Sequence, residues 1–248
     1  GLPAALRVGL NLWLAERYTR EALVAGTYFR DEDAEAESAP PSRLGYLIVG
    51  AVVVVLLGNI GSSQWPLVLR YLNDQPFNLV DPIFSKDVGF YVFLLPLYRF
   101  LANYLLGSLI LTGVLVGLIY LAGGAIRVQE RIQMLPRALA HLSVLFGLFL
   151  LDVAWIYRLK VYGILYSEGD VVFGAGYADV NVEIWVYWLL VLVFIGVAGL
   201  QFANVRELGK RFPMIGLASL AIGVAILGWL PAAVVQKLVV QPSELDRE

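Results

Sequence analysis

The sequence predicts an all-α protein built as a polytopic helical membrane bundle, and the prediction rests on composition and charge pattern. Of the 248 residues, 59% are hydrophobic and only 15% are charged, whereas soluble domains carry about 25% charged residues. The mean hydropathy is +0.74. Charged residues are absent from four long stretches, 44–69, 100–126, 184–205 and 212–236. Each stretch can hold the roughly 20 apolar residues that cross a bilayer as a helix.

Five transmembrane helices follow from this pattern, and together they form a transmembrane domain over residues 44–236. The third span is interrupted by Asp152 and Arg158. Helices are expected because a barrel would need alternating strands of about ten residues. Three pairs of small residues one turn apart predict close approach between helices: Gly113 with Gly117, Gly199 with Ala203 and Ser219 with Gly223. The predicted spans lie near 44–62, 96–123, 138–159, 184–203 and 213–235.

Residues 1–43 precede the first predicted span and fall into two parts. Residues 1–28 mix apolar and basic residues at helical spacing. They predict the cytoplasmic end of a preceding span or, less favoured, a helix lying on the membrane surface. Residues 31–42 contain five acids and two prolines, which indicates a solvated linker. Because the chain starts at Gly1 and not at Met, we expect it to be a piece of a longer protein.

The distribution of lysine and arginine predicts the orientation in a plasma membrane. Short loops rich in these residues stay cytoplasmic. One set of alternate segments holds eleven basic residues and the other holds six, with Arg99 left at the mouth of the second span. The N-terminus is therefore expected to be cytoplasmic. The C-terminus, with residues 237–248 as the start of a further region, is expected to be extracytoplasmic.

Composition also limits the chemistry of the chain. The net charge is −2, which argues against nucleic acid as a partner. The chain has no cysteine, so thiolate metal sites and disulfides within it are excluded. His141 is the one histidine, and a single histidine cannot by itself form a zinc or haem site. No cofactor is expected. The expected partners are the lipid bilayer, an extracytoplasmic domain of the same protein, and further copies or other membrane proteins.

Asp152 is the one carboxylate inside a predicted span and is the first candidate site residue. Carboxylates are costly in lipid and face the bundle interior or water. Arg99 begins the neighbouring span at a similar depth, so an intramembrane pair of Asp152 with Arg99 is predicted. A water-exposed acid and, less favoured, a proton relay are the alternatives.

The two long outer segments, 73–95 and 160–183, form the second candidate site. Both combine aromatic residues with turn-forming residues that fix the backbone. We expect an ordered collar packed over the span ends, with Asp81 and Pro82 starting a helix. The alternative is a ligand-binding vestibule lined by Lys86, Asp87, Asp170 and Asp179.

A family resemblance rests on the run at 81–93, DPIFSKDVGFYVF, followed by Leu95, Pro96 and Tyr98. This run resembles the hallmark of uncharacterised protein family 0182, a family of large bacterial multi-pass membrane proteins. Ser85 stands where the family pattern has glycine, and Ala178 where it has threonine. The resemblance implies about seven spans followed by a large extracytoplasmic domain. It brings no established activity, substrate or catalytic residue. Similar segments follow in the family's order at 141–143, 162–167, 174–177, 179–180 and 240–244.

Three functions remain open from the sequence. The favoured one is a membrane scaffold or anchor for a large extracytoplasmic domain. A transporter or channel is the alternative, although polar residues inside the spans are few. A membrane enzyme acting on lipid or envelope precursors comes third, because no paired carboxylates or nucleophile with its base can be identified.

Overall fold

The computed structural model describes residues 2–24, 43–128, 132–166 and 183–206, and within these ranges the chain is a helical bundle. A π-helical turn, Phe90–Leu94, leads directly into the fourth helix, and a 3₁₀ turn, Ile164–Tyr166, follows the fifth. The helices are α1 (Leu2–Val24), α2 (Arg43–Ser63), α3 (Trp65–Leu72), α4 (Leu95–Ala122), α5 (Pro136–Gly163) and α6 (Ile184–Arg206).

Among the described residues, four helices are long and apolar enough to cross a membrane, at the positions predicted for the first four spans. The second and third are longer than predicted, at 33 and 28 residues. They extend past the charge gaps because helical backbone continues through charged residues near the span ends, such as Arg99 and Lys160. The fifth predicted span, 213–235, lies outside the described residues. The spans are Leu44–Ser63, Phe90–Ala122, Pro136–Gly163 and Ile184–Ala203.

The two ends of the bundle carry different connections. At one end, here called the hairpin end, α4 ends and α5 begins. Two short antiparallel strands lie between them, β1 (Ile126–Val128) and β2 (Ile132–Met134). At the opposite end, here called the Asp81 end, the segment 73–89 links α3 to the π-helical turn. The hairpin is a small departure from the predicted all-α fold.

Helix α5 is the central helix of the bundle. In the most apolar 18-residue stretch of α5, 44% of the residues are buried inside the bundle. The corresponding share for α2 is 17%. The contact of α5 with α6 is built from Leu150, Val153 and Tyr157, which pack against Leu190 and Phe194 of α6. The rings of Tyr157 and Phe194 stack with centroids 5.8 Å apart. Helix α2 and the outer faces of the other spans expose large apolar side chains, as expected for surfaces that contact lipid.

Helix α1 packs against α2, α4 and α5. Its buried residues Ala4, Val8, Leu12 and Ala15 form one stripe at helical spacing. Arg7 contacts Ser108 in the middle of α4. An added Cβ on Gly123, just beyond α4, would lie 2.4 Å from Thr19. Helix α1 therefore runs parallel to the half of α4 that leads to the hairpin end.

The close contacts between helices are made at other glycines than those predicted. A Cβ added at Gly113, Gly117 or Gly199 would meet no described atom within 4 Å. The prediction that these small residues bring helix backbones together is therefore wrong within the described helices. Tight contacts occur instead at Gly123, against Thr19, and at Gly147, against Phe202. The spacing of small residues does not reveal which face of a helix meets its neighbour.

The segment between the first two spans contains a short helix and differs from its prediction at Asp81. Residues 65–72 form α3, which buries none of its residues. Asp81 and Pro82 start only a single turn, because residues 82–84 form a turn and the helix follows after Asp87. Asp87 caps this helix by accepting a 2.7 Å hydrogen bond from the amide of Gly89.

Candidate functional site

Six polar side chains from α1, α4 and α5 come together inside the bundle. We call them the interior polar cluster, which consists of Arg7, Asn11, Ser108, Tyr120, His141 and Asp152. The side chains of Ser108 and Tyr120 are fully buried, and His141 and Asp152 are each 8% exposed. Buried polar groups among apolar helices are costly unless they bond to one another. The contacts within this cluster therefore decide what it can do.

In the half of the cluster nearer the hairpin end, the side chains form a continuous series of hydrogen bonds. The Tyr120 hydroxyl lies 2.7 Å from His141 Nδ1, and His141 Nε2 lies 2.9 Å from Asn11 Oδ1. The Asn11 amide nitrogen donates to the backbone carbonyl of Arg7 at 2.7 Å. Because an amide oxygen only accepts, Nε2 of His141 must carry the hydrogen, and Nδ1 accepts from Tyr120. This arrangement fixes one neutral tautomer of His141.

The half of the cluster in the middle of the bundle holds two opposite charges. Asp152 lies 16 residues after the start of α5 and 11 before its end, about 24 Å and 16 Å along the helix axis. It interacts electrostatically with Arg7 of α1. The Arg7 guanidinium donates a hydrogen bond to Ser108. Asp152 Oδ2 and Arg7 Nε are buried without a hydrogen-bond partner among the described residues.

The predicted partner of Asp152, Arg99, lies elsewhere. A Cβ added on Gly163 would stand 2.6 Å from an Nη atom of Arg99. The guanidinium is therefore at the end of α5, 11 residues beyond Asp152, or about 16 Å along the helix. The structure does not bring Asp152 and Arg99 together, because α1 lies beside the middle of α5 and supplies Arg7 there instead.

A cavity opens at the hairpin end beside the interior polar cluster. Its volume is about 640 Å³, and Tyr18, His141 and Val205 are among the residues that line it. Its rim carries Glu21, which pairs with Arg17 at 2.7 Å and also with Arg137. The edge of the Tyr18 ring faces His141, with ring centroids 6.1 Å apart. His141 therefore connects the cavity to the hydrogen-bond chain inside the bundle.

At the Asp81 end, the Asp81 carboxylate organises the loop that follows it. Its oxygens accept hydrogen bonds from the amides of Ile83 (2.9 Å), Phe84 (2.6 Å) and Lys86 (2.8 Å) and from the hydroxyl of Tyr91 (2.8 Å). Partial burial acts to raise the pKa of Asp81, but these four bonds outweigh it and the pKa lies below its ordinary value. The ionised carboxylate of Asp81 therefore holds the loop in place.

Asp87 fixes the other side of the same loop. Its Oδ1 accepts hydrogen bonds from the amides of Phe77 at 3.0 Å and Gly89 at 2.7 Å. These backbone bonds hold the pKa of Asp87 below its ordinary value. An isolated antiparallel bridge also joins Val80 to Asp87. The two carboxylates give the segment 73–89 a defined backbone without a regular helix or sheet.

An aromatic cluster joins this loop to the ends of α5 and α6. The ring of Tyr162 contacts the rings of Phe84 and Phe90 edge-on, with centroids 5.2 Å and 4.9 Å apart. Arg158 lies over Tyr162 at 4.5 Å and over Trp188 of α6 at 4.8 Å. Arg158 also donates a 2.6 Å hydrogen bond to the Tyr162 hydroxyl. Cation–π contacts of this kind stabilise a junction by about 0.5–2 kcal/mol each.

The residues predicted to line an outer vestibule are only partly described. Lys86 is exposed, and its backbone amide bonds to Asp81. The Asp87 carboxylate is engaged by backbone amides. Asp170 and Asp179 lie outside the described residues. In the described ranges, no three His, Cys, Asp or Glu side chains group closely enough to hold a metal ion.

Sequence reasoning missed most of the interior polar cluster. The segment that carries Arg7 and Asn11 was expected to be the end of a preceding span, with no role given to these two side chains, and His141 was considered as a metal ligand and as part of the family resemblance. One signal was present: Arg7 and Asn11 are four residues apart, so they share a face of α1. His141 and Asp152 are 11 residues apart, close to three full turns, and share a face of α5. Only the packing of α1 on α5 shows that these two faces meet.

Comparison with known proteins gives relatives along the whole chain. A UPF0182 protein of Cupriavidus necator is 42% identical over 201 residues, covering 80% of this chain and 22% of the relative. One of Desulforamulus reducens is 34% identical over 215 residues, covering 86% and 23%. One of Frankia alni is 31% identical over 252 residues, covering 100% and 24%.

These relatives are much longer than the chain, which spans less than a quarter of their length. No solved structure matches the chain. The four apolar helices in the described part of the chain are those of a membrane protein. A family model matches residues 1–248 in full, and the chain therefore belongs to the uncharacterised protein family UPF0182.

Proposed function

We propose that this chain is the membrane anchor and scaffold of a larger protein, and that it holds an extracytoplasmic domain at the Asp81 end of the bundle. The observation that carries the proposal is the defined backbone of the segment 73–89, which Asp81 and Asp87 fix through their hydrogen bonds. The length of the relatives supports it, because most of each relative lies outside the matched region.

The proposed seat for that domain is an apolar patch on this loop, formed by Phe77, Leu79 and Val80. These side chains are 48%, 65% and 62% exposed. They precede the span that begins at Phe90, and charged Asp81 and Asp87 lie beside them. Contiguous exposed apolar groups outside a membrane span favour a protein contact. The occupant that we propose is the part of the same protein that follows residue 242.

The orientation that goes with this proposal puts the hairpin end in the cytoplasm of a bacterial cell and the Asp81 end outside the plasma membrane. The excess of basic residues on the hairpin side supports it. Helix α1 then forms the cytoplasmic part of a preceding span. In support, Arg7 lies beside Ser108 in the middle of α4, whereas a surface helix would meet only helix ends.

Hydrogen exchange on the full-length protein in lipid nanodiscs tests the anchor role. The Leu79→Glu variant is expected to expose amides of the external domain and of the segment 73–89 to faster exchange, because a charge in an apolar contact is costly. Gln75→Glu is the matched control, since it adds the same charge at an exposed polar position of the same loop. Equal exchange in the wild type and the Leu79→Glu variant would show that the domain does not sit on this patch.

Transport of an ion or solute is the second candidate function, and one observation favours it. Asp152 and Arg7 are charged groups in the middle of the bundle, where such residues are rare and commonly mark ion or solute pathways. A membrane enzyme acting on lipid or envelope precursors is the remaining alternative, for which the described residues supply no specific observation.

A further inference from the structure

Asp152 is an acid in an unusual position. It is 8% exposed, and its Oδ2 atom is buried without a hydrogen-bond partner in the described part of the chain. An ionised carboxylate in an apolar interior is costly unless its oxygens are paired. Arg7 is the cation that interacts electrostatically with Asp152, but it donates its hydrogen bond to Ser108 and not to the carboxylate. The carboxylate therefore keeps one oxygen free for a further ligand.

The charged and titratable groups around Asp152 come from few elements. Helix α1 contributes Arg7, which interacts electrostatically with Asp152. Helix α4 contributes Tyr104, which interacts electrostatically with Arg7. Helix α6, which packs on the opposite side of α5, carries no titratable side chain between Tyr187 and Arg206. On α5 itself, Arg158 is turned towards Tyr162 and Trp188. Arg7 is thus the one described charge that acts on Asp152.

The chemistry of these neighbours favours a proton over a metal ion as the ligand. Calcium and magnesium ions need several oxygen ligands, and the hydroxyl of Ser108, which contacts Arg7, is already engaged by Arg7 and by the Leu105 carbonyl. A proton requires a single free oxygen, which Asp152 Oδ2 supplies, and it leaves no net charge on the carboxyl group.

The position of polar groups indicates the side from which a proton arrives. Towards the hairpin end, Asn11 and His141 continue the polar groups from Arg7 to the 640 Å³ cavity. Towards the Asp81 end, the bundle is filled by an apolar cluster that includes Leu95, Ala102 and Leu159. Polar groups therefore lead from Arg7 to the cavity on the hairpin side, whereas apolar side chains fill the bundle on the Asp81 side.

We propose that Asp152 is a proton-binding site in the membrane interior, loaded from the hairpin end, and that its charge controls how Arg7 holds α1 in the bundle. The proton comes from water at the hairpin end and forms the O–H bond of the carboxylic acid; no other bond changes. When the carboxylate is ionised, Arg7 is attracted towards α5. When it is protonated, Arg7 keeps only its bond to Ser108. This goes beyond an anchor role and does not depend on it.

Infrared difference spectroscopy on the full-length protein in lipid nanodiscs tests the proposal. A step from mildly alkaline to mildly acidic pH is expected to produce a carboxylic acid C=O band from Asp152. The band should be absent from Asp152→Asn and retained in Glu16→Gln, where the acid removed is one that pairs with Arg20 at 2.9 Å on α1 itself. An unchanged band in Asp152→Asn, or no band in the wild type, overturns the proposal.

The Arg7→Gln variant distinguishes a proton-binding site coupled to Arg7 from an acid that is only buried. It also provides a test if the Asp152→Asn variant does not fold. Removing the neighbouring cation is expected to move the midpoint of the band by about one unit to higher pH. Spin labels at Trp13 of α1 and Trp155 of α5, both exposed, should report a larger separation at acidic pH in the wild type. A midpoint that stays fixed in Arg7→Gln contradicts the role given to Arg7.

Discussion

The Tyr120 hydroxyl lies 2.7 Å from Nδ1 of His141, and this hydrogen bond joins the last turns of α4 to the first turns of α5. His141 passes the connection on to Asn11 of α1 at 2.9 Å. One imidazole therefore ties three helices together at the hairpin end. Each of its ring nitrogens has a partner of the required kind.

Tyr120→Phe is expected to destabilise the bundle by about 1–3 kcal/mol, because it leaves the buried Nδ1 acceptor of His141 unpaired. Thermal unfolding of the full-length protein in detergent measures the change. Tyr18→Phe is the control, since the Tyr18 ring also contacts His141 but no hydrogen bond to it is made. Equal losses in the two variants would assign the effect to ring packing.

Gly123→Ala is expected to separate α1 from the end of α4. The added methyl group would lie 2.4 Å from Thr19 Cγ2 and 2.9 Å from the Ile119 carbonyl oxygen. Thr19 cannot turn away freely, because its hydroxyl bonds to the Ala15 carbonyl at 2.8 Å. Overpacking of this kind costs about 1–3 kcal/mol.

The matched control for this change is Gly113→Ala in the middle of α4, where an added Cβ meets no described atom within 4 Å. It should leave stability unchanged or raise it slightly, because alanine favours a helix over glycine. Thermal unfolding of both variants is the measurement. A loss for Gly113→Ala as large as that for Gly123→Ala would contradict the packing described here.

Asp81→Asn is expected to loosen the loop at the Asp81 end. The change replaces one carboxylate oxygen by an amide that cannot accept from Lys86 and Tyr91. Unpaired donors of this kind cost about 1–3 kcal/mol locally. Hydrogen exchange at the amides of Phe84 and Lys86 should accelerate, whereas Asp74→Asn, at an exposed acid nearby, should leave it unchanged.

The same loop should weaken at acidic pH. The pKa of Asp81 is lowered in the folded protein from an ordinary value of 3.8. The stabilisation that ionised Asp81 gives the loop is therefore complete at pH values above its ordinary pKa. It is lost as the pH falls through the lowered pKa of the folded protein. Exchange of the Phe84 amide, corrected for its intrinsic pH dependence, should rise in that window in the wild type. An equal rise in Asp81→Asn would exclude this carboxyl as the cause.

Ser85 has a positive φ of 52°, in the left-handed region that costs residues other than glycine about 1–2 kcal/mol. Ser85→Gly is expected to be neutral or stabilising, and Ser85→Val to destabilise the loop by roughly 1–2 kcal/mol. Thermal unfolding compares both variants with the wild type. A stabilising Ser85→Val would contradict the assigned backbone conformation.

This backbone also accounts for a departure noted in the sequence. Glycine was expected at position 85 from the family pattern, and the left-handed conformation is a physical reason for that preference. The pattern could show that the position was special, but it could not show the dihedral angle. In contrast, the helix start expected at Asp81 was wrong, since the carboxylates of Asp81 and Asp87 cap successive turns and only the second leads into a helix.

The sequence by itself determined that the chain is a helical membrane protein and where its first four spans lie. A helix in hydrocarbon satisfies its own backbone hydrogen bonds, so its position depends on local composition alone. The tertiary structure decided which polar side chains meet. Arg7 reaches Ser108 from 101 residues away, and Arg7 and not Arg99 acts on Asp152. These contacts depend on the order and rotation of packed helices, which local composition does not encode.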